Sequence, residues 1–317
     1  RVICGTINYT LGGTPMQFAQ REPYGKGCYG FYRSFYELWP SSTTVDMSNK
    51  SLYLTLVGNS YVATQGTTPV DTASVTSANL NHAQDSAIVI TLANSQPIIY
   101  PAANGPGIAL TTVEMSSEGY VTLAGSNSTT VFNPTVAAFL ANQPRIGNWH
   151  DMDPSGLTVA GSVPGSTHYD YDAVHGAHLF SWLNCIDDSI GATTGAFNTF
   201  QMAFFANGDV EMRWGTMSQA GGGQWPTLIG FTPGGGAFDP GSIDISATPT
   251  FATSAIDQNP LSLSGSTNPV LNTTVNLVTS NPTGLSLGLC FVTLSNLPPF
   301  SPVGLDLGII GAPGCVA

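Results

Sequence analysis

The densest run of side chains able to do chemistry is Asn148-Trp149-His150-Asp151-Met152-Asp153-Pro154, followed by His168, Asp170, Asp172, His175 and His178. Histidine and aspartate in H-x-x-D or D-x-D spacing can offer imidazole and carboxylate donors to a divalent metal. Two carboxylates can instead share the acid and base work of a hydrolysis. Either chemistry would make the chain a secreted hydrolase acting through His150, Asp151 and Asp153, metal-dependent in the first case. The same residues also read as structure. Asp153-Pro154-Ser155-Gly156 has the composition of a turn, where Asp151 can cap backbone donors. Tyr169-Asp170-Tyr171-Asp172 alternates as a strand with one aromatic face does. Nothing in the spacing brings these side chains together, so the structural reading is preferred and no catalytic residue, metal ligand or cofactor is assigned.

Other signatures fail outright. Ala160-Gly161-Ser162-Val163-Pro164-Gly165 is the nearest approach to a G-x-S-x-G nucleophile elbow and lacks its pattern. Gly221-Gly222-Gly223 and Gly234-Gly235-Gly236 lack the Lys-Ser/Thr of a phosphate loop and read as loops.

The elements that would position these residues are strands. Short runs rich in Val, Ile, Thr, Tyr and Phe are separated by Gly, Pro, Asn and Asp, the punctuation of an all-β chain. Leu52, Leu54 and Leu56 share one face of a strand over residues 51–57. Further strands are expected over residues 85–92, 119–123, 198–205, 210–214 and 228–231. Asn207-Gly208 joins two of them as a hairpin, with a type I′ turn expected. Two segments read as helix. Tyr32, Phe35, Tyr36 and Trp39 have i, i+3, i+4, i+7 spacing within residues 31–39, and Pro134 stands early in residues 134–142. Residues 247–259 read as a linker. The chain therefore divides into a β-sandwich or barrel over residues 1–250 and a small C-terminal, immunoglobulin-like β-sandwich over residues 258–317. The strands of that tail fall at residues 261–263, 274–279 and 288–294.

Composition bounds the setting. Of 317 residues, 8% are charged, and no Lys or Arg follows Arg213. An ordinary globular domain carries about 25% charged residues. Formal net charge is −12, from 7 Lys+Arg against 19 Asp+Glu. Nucleic-acid binding needs clustered cations, so that partner is excluded, and an anionic membrane surface with it. No apolar run approaches the roughly 18 residues of a membrane span. No basic, apolar leader opens the sequence, so a signal peptide is expected to have been removed already. A surface of Ser, Thr, Asn, Gln and Gly suits an extracellular chain that is packed into an assembly or coated with sugar. Asn8, Asn49, Asn127 and Asn272 match the N-x-S/T acceptor pattern. The five cysteines include no C-x-x-C pair. The spacing favours two local disulfides, Cys4 with Cys28 and Cys290 with Cys315, leaving Cys185. Cys28 with Cys185 stays open, since connectivity is not written in sequence.

Several segments carry a resemblance. They are Pro23-Tyr24-Gly25-Lys26-Gly27-Cys28, Ser34-Phe35-Tyr36-Glu37, Val45-Asp46-Met47-Ser48-Asn49-Lys50-Ser51-Leu52, Ser117-Glu118-Gly119-Tyr120-Val121, Pro144-Arg145-Ile146 and Trp149-His150-Asp151-Met152-Asp153-Pro154. Asn198-Thr199-Phe200-Gln201, Asn207-Gly208-Asp209-Val210 and Ile229-Gly230-Phe231-Thr232-Pro233-Gly234 continue the series, and Gly304-Leu305-Asp306-Leu307-Gly308 with Gly311-Ala312-Pro313-Gly314-Cys315 ends it. In this order they resemble a group of secreted, β-rich planctomycete-type bacterial proteins of unassigned activity. The middle is similar to the nidogen-type extracellular domain. The resemblance implies an extracellular sandwich or barrel with a small β domain behind it, and it brings no catalytic residue. Members of that group run on for several strands past the Pro-Gly-Cys motif, so the sequence is expected either to continue or to be completed by a neighbour's strand.

A candidate for such a strand lies at the other end. Residues 2–11 alternate, from Val2 through Ile3, Ile7, Tyr9 and Leu11, with the last four on one face, and Gly12-Gly13 follows as a joint. A strand of this kind can be donated to an open sheet edge in another subunit. The expected function is accordingly a glycosylated structural subunit of an extracellular, pilus-like filament or cell-surface assembly. It would form a helical homopolymer by strand exchange of its N-terminal segment, with copies of itself and glycans as its partners. The rival to this is a carbohydrate-binding, adhesive module that exposes Trp182, Trp214 or Trp225 to sugar rings.

Overall fold

The computed structural model describes residues 4–8, 20–24, 30–40, 43–102, 105–125, 132–141, 143–155, 164–187, 197–217, 225–259, 262–265 and 277–280, with the backbone alone for 4–8, 20–24, 101–102, 105–106, 262–265 and 277–280. The fold is all-β and built on antiparallel sheets. By contacts the chain divides into two compact units. One is Tyr32–Ile256, and the other joins Arg1–Phe31 to Asp257–Ala317. This division sets residues 1–31 with the C-terminal residues rather than with the main body.

The larger unit is a sandwich of two sheets. The first runs β3 (Phe35–Trp39), β17 (Thr227–Thr232), β11 (Arg145–Trp149), β10 (Tyr120–Leu123), β9 (Thr112–Ser116) and β6 (Ala87–Thr91). The second runs β12 (Met152–Asp153), β14 (Ala177–Asp187), β15 (Phe197–Phe205), β16 (Val210–Trp214), β4 (Ser51–Val57), β5 (Ser60–Gly66) and β18 (Thr250–Ala252), with β13 (Ser166–Asp172) also paired to β14. Their facing sides interdigitate. Phe35, Val121, Ile146, Ile229 and Phe231 come from the first sheet, and Leu52, Leu54, Phe180, Trp182, Phe200 and Phe204 from the second. Trp182 stacks on Phe200 at 4.9 Å, and Tyr61 meets Phe231 edge to face at 5.0 Å. Each side chain of this size contributes roughly 1.5–3 kcal/mol on burial, so this layer dominates the fold.

The first sheet is covered on its other face as well. Helix α1 (Val136–Ala141) lays Phe139 and Leu140 against Tyr36, Tyr120, Trp149 and Leu228. Its start is capped by Thr135, whose Oγ1 accepts the Ala138 N–H at 3.1 Å, so Pro134 stands before the cap rather than in the first turn. The buried Arg145 guanidinium lies over the rings of Tyr120 (4.7 Å) and Trp149 (4.4 Å), a cation–π arrangement on the same face.

Three local expectations change. Residues 31–39 contain strand β3 instead of a helix, because pairing with β17 supplies the backbone bonds and both faces of this sheet are apolar surroundings. Residues 247–259 include strand β18, which extends the second sheet beside β5. The Asn207-Gly208 hairpin joins β15 to β16 as expected, but its turn is not type I′. The Gly208 N–H bonds the Phe205 carbonyl at 2.9 Å, and Phe205 N–H bonds the Asp209 carbonyl, with Gly208 alone at positive φ, 91°. That is a type I turn followed by a glycine bulge.

In the other unit, β1 (Cys4–Asn8) pairs antiparallel with β2 (Gln20–Tyr24), and β19 (Ser262–Gly265) with β20 (Leu277–Ser280). The segment read as a donor strand thus has a ladder partner in its own chain. A further hairpin of the larger unit pairs β7 (Ile98–Ala102) with β8 (Gly105–Leu110). Cys28, Cys290, Cys315, Asn127, Asn272, Val2, Ile3, Tyr9, Leu11 and the strand expected at residues 288–294 lie outside the described residues. No helix among the described residues is long and apolar enough to cross a membrane.

Candidate functional site

The histidines and aspartates picked out by type separate into structural ties. His150 Nε2 lies 3.1 Å from Asp187 Oδ2, and its Nδ1 lies 3.1 Å from both the Pro226 carbonyl and Thr227 Oγ1. The ring and its aspartate are both buried. Asp170 accepts the N–H groups of Thr76 (3.0 Å) and Ser77 (2.7 Å), pinning a loop to β13. Asp172 closes the Val174–His175 turn and contacts the His175 ring. His168 sits between the Ser77 carbonyl and the Ser166 hydroxyl.

His178 donates from Nε2 to the Gln96 carbonyl at 2.9 Å, so in its neutral form Nδ1 receives the Tyr169 hydroxyl proton. Burial holds its pKa below the usual imidazole value, which favours that neutral form. His82, not singled out by sequence, follows the same pattern between Thr167 and the Met115 carbonyl, and burial lowers its pKa too. The Tyr169–Asp172 run forms a strand with one aromatic face, as expected, and both tyrosines pack on His178.

One group does converge. Asp85, Glu118 and Asp151 each bring a carboxylate oxygen to within 4.8 Å of the other two. Three parts of the chain deliver them: the loop entering β6, the turn between β9 and β10, and the segment between β11 and β12. Gly119 makes the middle turn possible. Its φ is +86°, and a Cβ there would meet the Asn148 carbonyl oxygen at 2.2 Å, so a side chain is barred. Ser117 N–H bonds the Ser86 carbonyl (2.8 Å) and Ser86 N–H returns to Ser117 Oγ (2.9 Å), fixing Asp85 beside the turn.

Glu118 itself is buried. Its Oε1 accepts the Ser117 hydroxyl at 2.7 Å and its Oε2 the Met152 N–H at 3.0 Å. Its pKa is pushed up to about 8, first by burial and then by the charges of Asp151 and Asp85, against the pull of those two hydrogen bonds. Burial, with the Asp153 charge, raises Asp85 as well. A carboxyl that keeps its proton to such a pH relieves repulsion in the group. These hard oxygen donors also suit Ca²⁺ or Mg²⁺. Among the described residues this is the group able to hold a metal ion.

Of the three hydrolase candidates, only Asp151 joins the group. Asp153, not Asp151, caps the turn that follows, through the Ser155 N–H (2.8 Å) and hydroxyl (2.7 Å). Asp85 and Glu118 were missed because each stands alone in sequence. The available signal was an acid next to glycine between apolar strands in a chain with few charges. The sugar-stacking candidates fare similarly. Trp182 and Trp214 are buried in the core and have no free ring face, while Trp225 is partly exposed and meets Phe132 edge-on at 5.5 Å. Asn49 is exposed, at φ 58° in a turn whose N–H bonds the Gly215 carbonyl. Cys185 is a free, buried thiol.

Comparison of the chain with protein-family models, with curated proteins and with solved structures gives no match in any of the three.

Proposed function

We propose that this chain is a non-catalytic structural subunit of an extracellular filament or surface assembly, glycosylated and joined to its neighbours through the N-terminal segment, residues 2–11. The observation that carries the reading is the use made of its reactive side chains. His150, Asp170, Asp172, His168 and His178 are each tied to a neighbouring loop, strand or turn. A hydrolase needs such groups converging on one open cleft.

The composition supports the assembly. In a chain of which only 8% is charged, surface can be buried against copies of itself with few charges left unpaired. Strand β1 has β2 as its partner within the chain, so exchange requires a neighbour to share or replace that ladder. Asn49, which is exposed, is an acceptor on which sugar can be carried. Electron microscopy of the native material tests the reading, together with deletion of residues 1–12. Filaments that vanish on deletion, with the sandwich still folded by circular dichroism, are the expected result. Single, monodisperse particles at high concentration of the full chain would sink it.

A further inference from the structure

One long strand edge of the sandwich is bare among the described residues. β6 ends the first sheet and is held by β9 alone. Ser117 N–H bonds the Ser86 carbonyl (2.8 Å) and Leu92 N–H bonds the Thr111 carbonyl (2.9 Å), which fixes the phase of this ladder. Bonded and non-bonded positions alternate in an antiparallel pair. Ile88 and Ile90 therefore spend their backbone groups on β9, and those of Ala87, Val89 and Thr91 point outward. The Val89 side chain is 56% exposed. The strand reads Ala-Ile-Val-Ile-Thr, with no charge and no proline to blunt it. Such an edge is a template for another strand.

The other edges of the two large sheets are protected. On β3, the Tyr36 carbonyl accepts Ile243 N–H (3.0 Å) and Leu38 N–H bonds Ser242 Oγ (3.0 Å). On β13, the Thr167 carbonyl accepts Leu80 N–H (2.9 Å) and its N–H bonds Asn79 Oδ1 (3.1 Å). β12 and β18 are two and three residues long.

We propose that β6 docks a second copy of this chain, the two β6 strands pairing antiparallel about a two-fold axis at Val89. In that register Val89 faces Val89 of the second copy, and Ala87 faces Thr91. Every outward N–H and C=O of these residues then finds a partner at once, which makes the edge self-complementary in the manner of an isologous dimer. Charge permits it too. Asp85, at the entrance to β6, stays about 26 Å from its counterpart at roughly 3.3 Å per residue. Glu114, opposite Val89 on β9, is buried. A two-fold contact closes on itself, so this interface is independent of the N-terminal strand.

Sedimentation equilibrium and residue-resolved amide exchange on the full chain test the proposal. A dimer is expected, with the amides of Ala87, Val89 and Thr91 slowing as concentration rises and those of Ile88 and Ile90 slow throughout. Val89→Lys should weaken self-association by about tenfold or more, since like charges directly opposite destabilise a strand pair. Thr91→Pro, which removes an outward N–H that β9 does not use, serves as the second block if Val89→Lys lowers the melting temperature. Deleting residues 1–12 should leave the dimer intact. A monomer whose three outward amides exchange fast at every concentration overturns the proposal. So does a dimer that both folded variants preserve. Protection that appears only on adding a peptide of residues 2–11 also overturns it, and gives the edge to the N-terminal strand instead.

Discussion

At one edge of the six-stranded sheet, residues 242–245 strap β3, taking its outward Tyr36 carbonyl and Leu38 N–H; at the other, the outward groups of Ala87, Val89 and Thr91 meet no such segment among the described residues. The strap is itself anchored. Ile245 is buried in the main core, its N–H bonds Glu37 Oε2 at 2.7 Å, and its carbonyl accepts from Gln65 Nε2. Protecting an edge thus takes a run of chain, an apolar anchor and a half-buried acceptor. Among the described residues the β6 edge has none of these, and it carries a neutral, β-branched sequence instead. One edge is closed within the molecule, and the other is fitted for pairing.

Breaking the strap should have the largest effect. Ile245→Ala removes a buried anchor and is expected to cost about 2–4 kcal/mol by urea unfolding, with increased light scattering as the β3 edge opens. A variant that unfolds at the wild-type urea concentration would show that the strap is ornamental.

The second effect is pH, because each edge is rooted beside a carboxyl of raised pKa. Glu37, at the strap, is pushed up to about 7 by burial and by the Asp46 and Asp244 charges, against the Ile245 N–H. Glu118, beside the entrance to β6, is pushed up to about 8. Both exceed the ordinary 4.5, so the folded state holds more protons than the unfolded one over that window. Their stabilisation is full below about pH 4.5 and is lost as pH rises through 7 and then 8. Glu118, being buried, can contribute a slope of up to about 1.4 kcal/mol per pH unit. Glu37, half exposed, contributes less because solvent screens it. Melting curves should fall from about pH 7 to 9, above the range in which His82 and His178, held neutral by burial, act in the opposite direction, and Glu118→Gln should flatten that fall. A rise in stability over that range would contradict the assignment.

Smaller effects sharpen the contrast. Ser242→Ala deletes the acceptor of the Leu38 N–H and should cost about 1 kcal/mol, with faster exchange at that one amide. Val89→Lys should shift the stability of the dissociated monomer by less than about 0.5 kcal/mol, since its side chain is already in water. The asymmetry between those two residues is the comparison at its plainest.

The same sheet explains what could be read beforehand and what could not. Strand β4 was legible because one face is core: Leu52 and Leu54 are buried while Thr55 and Val57 are exposed. β3 was not, because its sheet is apolar on both sides. Phe35 enters the main core and Tyr36 the layer under α1, so neighbouring positions are both buried and the period of two disappears. What remained was an accidental helical spacing. β18 was read as linker since its three residues are mostly exposed and supply no apolar signal. The acidic group was hidden for a different reason. Asp85, Glu118 and Asp151 meet through strand register, and register depends on pairings that lie far apart in the chain. The histidines were conspicuous by type, yet type says nothing about whether a partner stands beside each ring.

Cys185 turns the core into its own recorder. The thiol is buried in β14, where burial raises its pKa, so it is neither exposed nor ionised in the closed molecule. An alkylating reagent needs the thiolate and a path to it. Modification under native conditions therefore counts the moments when the sandwich parts around β14. The bookkeeping is simple, because no Lys or Arg lies between Arg145 and Arg213 and no other cysteine does either. A single tryptic peptide, residues 146–213, carries the clock. Its labelling rate, followed across denaturant, separates breathing of the sheet centre from wholesale unfolding.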